Sequence, residues 1–142
     1  MAIKLLTSIA LLMFSTALAA QELSPETISK REKRKNITIK EWNTDAKSKT
    51  RWMDHYTVYD DQGRKVEEAE FSTYGLKYKI VIRYREDGFI DKEIVYNDRN
   101  KVERIRKYEY NPDGTKKKQY NYLPNGKLYS IKIFEYIATD KE

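Results

Sequence analysis

Tyr108-Glu109-Tyr110-Asn111-Pro112-Asp113-Gly114 and, twelve residues on, Tyr120-Asn121-Tyr122-Leu123-Pro124-Asn125-Gly126-Lys127-Leu128 decide how this chain folds. In each stretch two tyrosines, one residue apart, lead into a short polar segment that ends in glycine. Residues i and i+2 of a strand share a face, so each tyrosine pair belongs to one strand face. Asp-Gly and Asn-Gly put a residue that tolerates positive φ where a tight hairpin needs it. Pro112 and Pro124 suit the early turn positions. Both stretches therefore read as strand, turn and the start of a returning strand.

The same spacing extends upstream. An aromatic residue is followed four positions later by Gly or Asn at Tyr59 and Gly63, Phe71 and Gly75, Tyr84 and Gly88, Tyr96 and Asn100, Tyr110 and Gly114, and Tyr122 and Gly126. Successive aromatics are 12, 13, 12, 14 and 12 residues apart, and every glycine of the chain falls in this series. Structural turns are therefore expected at Gly63, Gly75, Gly88, Asn100, Gly114 and Gly126, with Asn100 replacing glycine because Asn also visits the left-handed region. About eight residues remain between turns, enough for one strand. The alternation predicts strands near 36–43, 51–59, 65–72, 77–85, 89–97, 102–110, 116–122 and 128–136. Leu76, Tyr78, Ile80, Ile82 and Tyr84 fall on one face, as do Ile90, Ile94 and Tyr96. Strands joined by short turns run antiparallel. The expected fold is all-β: an antiparallel β-meander of about eight strands built from 12–14-residue repeats. It has one aromatic and one charged face, and forms a twisted single sheet or a partly closed barrel or sandwich.

The run Tyr120 to Leu128 resembles the MORN-variant repeat, with its tyrosines, short turn and Asn-Gly-Lys-Leu. Tyr108 to Gly114 is similar to the tyrosine and Asp/Asn-Gly pattern of RHS/YD repeats. The likeness covers residues 56–136. It departs at the degenerate Phe71 and Tyr96 units and at the polar run Thr115–Lys118. The resemblance implies an extended or curled antiparallel sheet used as a scaffold or binding surface, and it brings no catalytic residue.

Residues 1–20 read as a cleavable signal peptide: Lys4, an apolar run to Phe14, then Ala17, Ala19 and Ala20 as small cleavage-site residues. The protein is thus expected to be secreted or periplasmic, without stable membrane insertion after cleavage. Cysteine is absent, so no disulfide supports the fold. Charged residues make up 35% and mean hydropathy is −0.86, yet aromatics at 13% are too many for a disordered chain. All twelve tyrosines lie between Tyr56 and Tyr136, which places the ordered domain at 36–142. Residues 21–35 differ. Ser24-Pro25-Glu26 can cap and start a short helix, but Lys30-Arg31-Glu32-Lys33-Arg34-Lys35 has no apolar stripe. A basic, mobile N-terminal segment is expected there.

No catalytic constellation emerges. His55 is the sole histidine, and Asp54 and Tyr56 beside it point to the opposite face of a strand. Asp60-Asp61-Gln62-Gly63 and Asn97-Asp98-Arg99-Asn100 read as turns, and no calcium-loop or other metal motif is present. Neither a metal nor a cofactor is expected. Lys101, Arg104, Arg106, Lys107 and Lys116–Lys118 form the most basic region, interrupted by Glu103 and Glu109. For an exported chain it suits an anionic envelope glycan better than nucleic acid. Tyr78, Tyr84, Tyr96, Tyr108, Tyr110, Tyr120 and Tyr122 are the candidate binding face. The expected function is non-enzymatic docking of a protein or envelope glycan on that aromatic face or on a sheet edge, where self-association is also open to it. The alternative is a small-ligand carrier with an aromatic-lined pocket inside a closed sheet.

Overall fold

The computed structural model describes residues 22–140; the expected signal peptide lies outside them. One helix, α1 (Pro25–Glu32), precedes eight strands: β1 (Thr38–Thr44), β2 (Arg51–Tyr59), β3 (Lys65–Ser72), β4 (Gly75–Tyr84), β5 (Ile90–Tyr96), β6 (Val102–Tyr110), β7 (Lys116–Tyr122) and β8 (Leu128–Ile133). The strands form one sheet in sequence order, and every neighbouring pair is antiparallel. β1 and β8 are its edges and do not meet, so of the expected architectures the sheet adopts the open one.

Five turns share one hydrogen-bond pattern. The N–H of Asp60, Arg85, Asn97, Asn111 and Leu123 donates to the carbonyl four residues on, and each of their carbonyls accepts from the N–H three residues on. Such a three-residue loop ends with a residue in the left-handed region. Asn100 fills that position at φ +57°, where the other four turns use glycine. An Asp or Asn side chain satisfies turn amides each time: Asp60 and Asn97 from the first position, Asp87, Asp113 and Asn125 from the third. The Phe71–Gly75 link is different. Ser72 pairs directly with Gly75, leaving the two-residue tip Thr73-Tyr74 and Tyr74 fully exposed.

The strand after each of the five turns carries one extra residue opposite the flanking tyrosine: Val66, Asp91, Glu103, Lys117 and Tyr129. These are β-bulges, and they control which face each side chain takes.

Among the described residues each strand touches only its sequence neighbours, and no second layer covers the sheet. Among the described hydrophobic residues only Ala69, Ile82 and Val95 are buried. Cohesion therefore comes from backbone ladders, cross-strand pairs and tyrosine rings laid along the sheet. At one end the rings act as latches. The Tyr84, Tyr110 and Tyr136 hydroxyls donate to the carbonyls of Lys65, Ile90 and Lys116, at 2.7, 3.0 and 2.8 Å. Each acceptor is the first residue of the strand that follows a turn.

Helix α1 has the expected cap, with Thr27 N–H donating to Ser24 Oγ and Pro25 in the first turn. Its far end lies against the β2–β3 turn. The Arg34 guanidinium stacks over Tyr59, 5.2 Å from the ring centre, and Asn36 N–H donates to the Asp60 carbonyl. The segment expected to be a mobile tether is thus joined to the sheet through residues 31–36.

Candidate functional site

Residues directly opposite in an antiparallel pair share a face, so the register defines two faces. One carries the rows Val81–Ile94–Ile105–Tyr122 and Arg83–Lys92–Lys107–Tyr120–Ile131. The other carries Glu41–His55–Glu70–Tyr78 and Ile82–Glu93–Arg106–Asn121–Ser130. The first is basic: Lys40, Lys79, Arg83, Lys92, Lys107 and Lys118 stand against Glu67 and Glu109. The second mixes both signs.

The single aromatic face read from the sequence is corrected here. Tyr96, Tyr120 and Tyr122 lie on the basic face, and Tyr78, Tyr84, Tyr108 and Tyr110 on the mixed-charge face. The bulges are the cause. From Ile90 to Tyr96 is an even count, which plain alternation returns to the same face. The extra residue Asp91 inverts it, so Ile90 faces with Tyr84 while Ile94 and Tyr96 face the other way. Each new strand repeats the inversion, and successive turn tyrosines alternate faces.

On the basic face Arg83, Lys92 and Lys107 stand side by side on β4, β5 and β6, about 4.8 Å apart from strand to strand. Among the described residues none of the three makes an ion pair. Glu67 and Glu109 are bonded to neighbouring tyrosines, and Glu109 also lies 3.6 Å from the Lys117 ammonium. Glu67 accepts the Tyr56 hydroxyl at 2.5 Å, and Glu109 accepts that of Tyr120 at 2.8 Å. The Tyr120 hydroxyl holds the Glu109 carboxyl below its ordinary range. Burial, then the Glu67 bond, pushes Tyr56 up to about 12. Rings flank the cations: the Lys79 ammonium is 4.5 Å from the Tyr96 ring centre and that of Lys107 is 6.0 Å from Tyr122.

On the mixed-charge face His55 sits between two carboxylates. Its Nδ1 is 2.7 Å from Glu41 and its Nε2 3.7 Å from Glu68, whose carboxylate also binds Lys65 at 3.0 Å. The group lies on an open strand surface beside the exposed β1, not in a cleft. The ring bridges carboxylates from the two flanking strands, and Glu70 stands directly opposite His55 in the register. Further along this face, burial and then Glu93 raise Tyr108, and burial lifts Tyr110 to about 12.

A third feature was not legible in the sequence. A cavity of about 320 Å³ lies between α1 and the β2–β3 turn, with Arg31, Arg34, Arg64 and Lys65 in its walls beside Tyr59 and Tyr84. Arg64 is paired with Asp60 at 2.9 Å and stacks over Tyr84 at 4.5 Å. The helix and the turn are some thirty residues apart in sequence, and no local pattern joins them. Among the described residues no group of three His, Cys, Asp or Glu side chains is placed to hold a metal ion, and no helix is long and apolar enough to cross a membrane.

Compared with protein-family models, curated proteins and solved structures, the chain matches none.

Proposed function

We propose that this chain is an exported, non-enzymatic binding module of the MORN-like tyrosine–glycine hairpin type, which docks an acidic glycan on its basic sheet face. One observation carries the reading: the Arg83–Lys92–Lys107 row. Like charges directly opposite one another destabilise a sheet. Here three adjacent strands keep them, and among the described residues no carboxylate pairs with any of the three, although acids are abundant on the opposite face. A polyanion laid across the strands would supply the missing negative charge. Tyr120 extends this row and Tyr122 the neighbouring Val81–Ile94–Ile105 row, both with planar rings suited to stacking on sugars, and Ile94 and Ile105 provide an apolar floor. The carrier reading required strands closed around a pocket, and the open sheet removes that premise.

The double variant Lys92→Gln/Lys107→Gln separates fold from function. Removing the repulsion should leave the melting temperature equal or slightly higher. Retention of a polyuronate, measured by affinity chromatography across a salt gradient, should fall at least tenfold, since charge-driven binding weakens with each cation removed. Unchanged retention, or a wild-type protein that ignores polyuronates and sulfated glycans alike, would overturn the reading.

A further inference from the structure

The two sheet edges are not equivalent. β1 carries the charged pair Lys40-Glu41 at its centre, and its Trp42 is stacked under Arg51 at 4.4 Å. β8, Leu-Tyr-Ser-Ile-Lys-Ile, has a single charge and neither Pro nor Gly, and every residue in it is exposed. Ile131 and Ile133 are 47% and 64% exposed. Natural edge strands are normally blunted by charge, proline or a covering element, and β8 has little of this beyond the bulge at its first turn.

The backbone is equally available. Phe134 N–H donates to the Lys117 carbonyl at 3.1 Å. Antiparallel alternation then turns Lys132 and Ser130 toward β7, and turns the N–H and C=O of Ile131 and Ile133 outward. We propose that β8 pairs antiparallel with β8 of a second copy about a two-fold axis at Ile133, making one continuous sixteen-stranded sheet.

The register follows from the side chains. Centred on Ile131, the pairing would run into the Tyr129 bulge. Centred on Lys132, it would set that lysine against its own copy. Centred on Ile133, it covers residues 130–136, with Ile133 against Ile133, Lys132 against Phe134 and Ile131 against Glu135, and no like charges oppose. An isologous contact of this kind closes at the dimer and does not propagate. The axis is perpendicular to the sheet, so both basic rows lie on the same side, their β6 strands five strand spacings or about 24 Å apart. The pairing does not depend on what the basic face binds.

The chain has no cysteine, so an introduced one is the sole thiol. Ile133→Cys should give a covalent dimer on mild oxidation, because the two Cα atoms would lie within disulfide range. Ile131→Cys should not, since its two copies would be four residues out of register, about 13 Å. Ile133→Pro removes an outward N–H that no intramolecular ladder uses, so it should give a folded monomer where the wild type is a dimer by light scattering. A monomeric wild type at 100 micromolar concentrations, cross-linking through residue 131 and not 133, or a β8 edge occupied only by an unrelated protein's strand would each overturn the proposal.

Discussion

At the scale of single residues, the tyrosines do structural work that composition alone does not assign. Tyr84, Tyr110 and Tyr136 recur at intervals of 26 residues, and each closes the carbonyl of a strand's first residue. Replacing Tyr84 or Tyr110 by Phe should cost about 0.5–1.5 kcal/mol in urea unfolding, the usual net value of one hydrogen bond. Tyr74→Phe should be silent, because Tyr74 is fully exposed. Tyr56 and Tyr110 also set an alkaline limit. Their folded pKa values are raised from 10 to about 12, so the native state favours the protonated phenol. That contribution is complete below pH 10 and is lost as the pH climbs toward 12. Tyr56→Phe should therefore flatten the decline of stability over that window, which chemical denaturation at several pH values would reveal.

At the scale of elements, turns were legible and faces were not. A turn is written locally: Asn111-Pro112-Asp113-Gly114 holds its own bending residue, its φ-restricted proline and its capping carboxylate. Face assignment depends on the extra residue after each turn, and Asp91 or Lys117 carries no mark that distinguishes it from a paired strand residue. Turn glycines also differ in what surrounds them. A Cβ on Gly126 would meet open space, so Gly126→Ala should cost only the left-handed strain of φ +85°, about 1 kcal/mol. A Cβ on Gly63 would fall 2.1 Å from the Arg31 carbonyl oxygen, and backbone cannot yield that far. Gly63→Ala should cost distinctly more and displace α1. Proteolysis at Lys30–Lys35 in this variant and not in Gly126→Ala would record it; equal susceptibility of the two would refute the docking of the helix on the turn.

At the scale of the whole molecule, a sheet whose strands meet only their neighbours behaves as a one-dimensional stack. Its stability should be graded. Ile82 on β4 and Val95 on β5 are the buried centre, whereas β1 and β8 are exposed along their full length. In the monomeric Ile133→Pro variant, hydrogen exchange should be slowest in β4 and β5 and fastest at both edges; uniform protection across the eight strands would contradict this graded stack. The sequence by itself determined the strands, the turns and the antiparallel order, because spacing, turn chemistry and short links act within a dozen residues. It left open whether the sheet closes, and it misassigned the tyrosines to one face. The tertiary structure decided those points and the Arg83–Lys92–Lys107 row. Each depends on which residues stand opposite one another across strands, and a single bulged residue shifts that register and exchanges the faces.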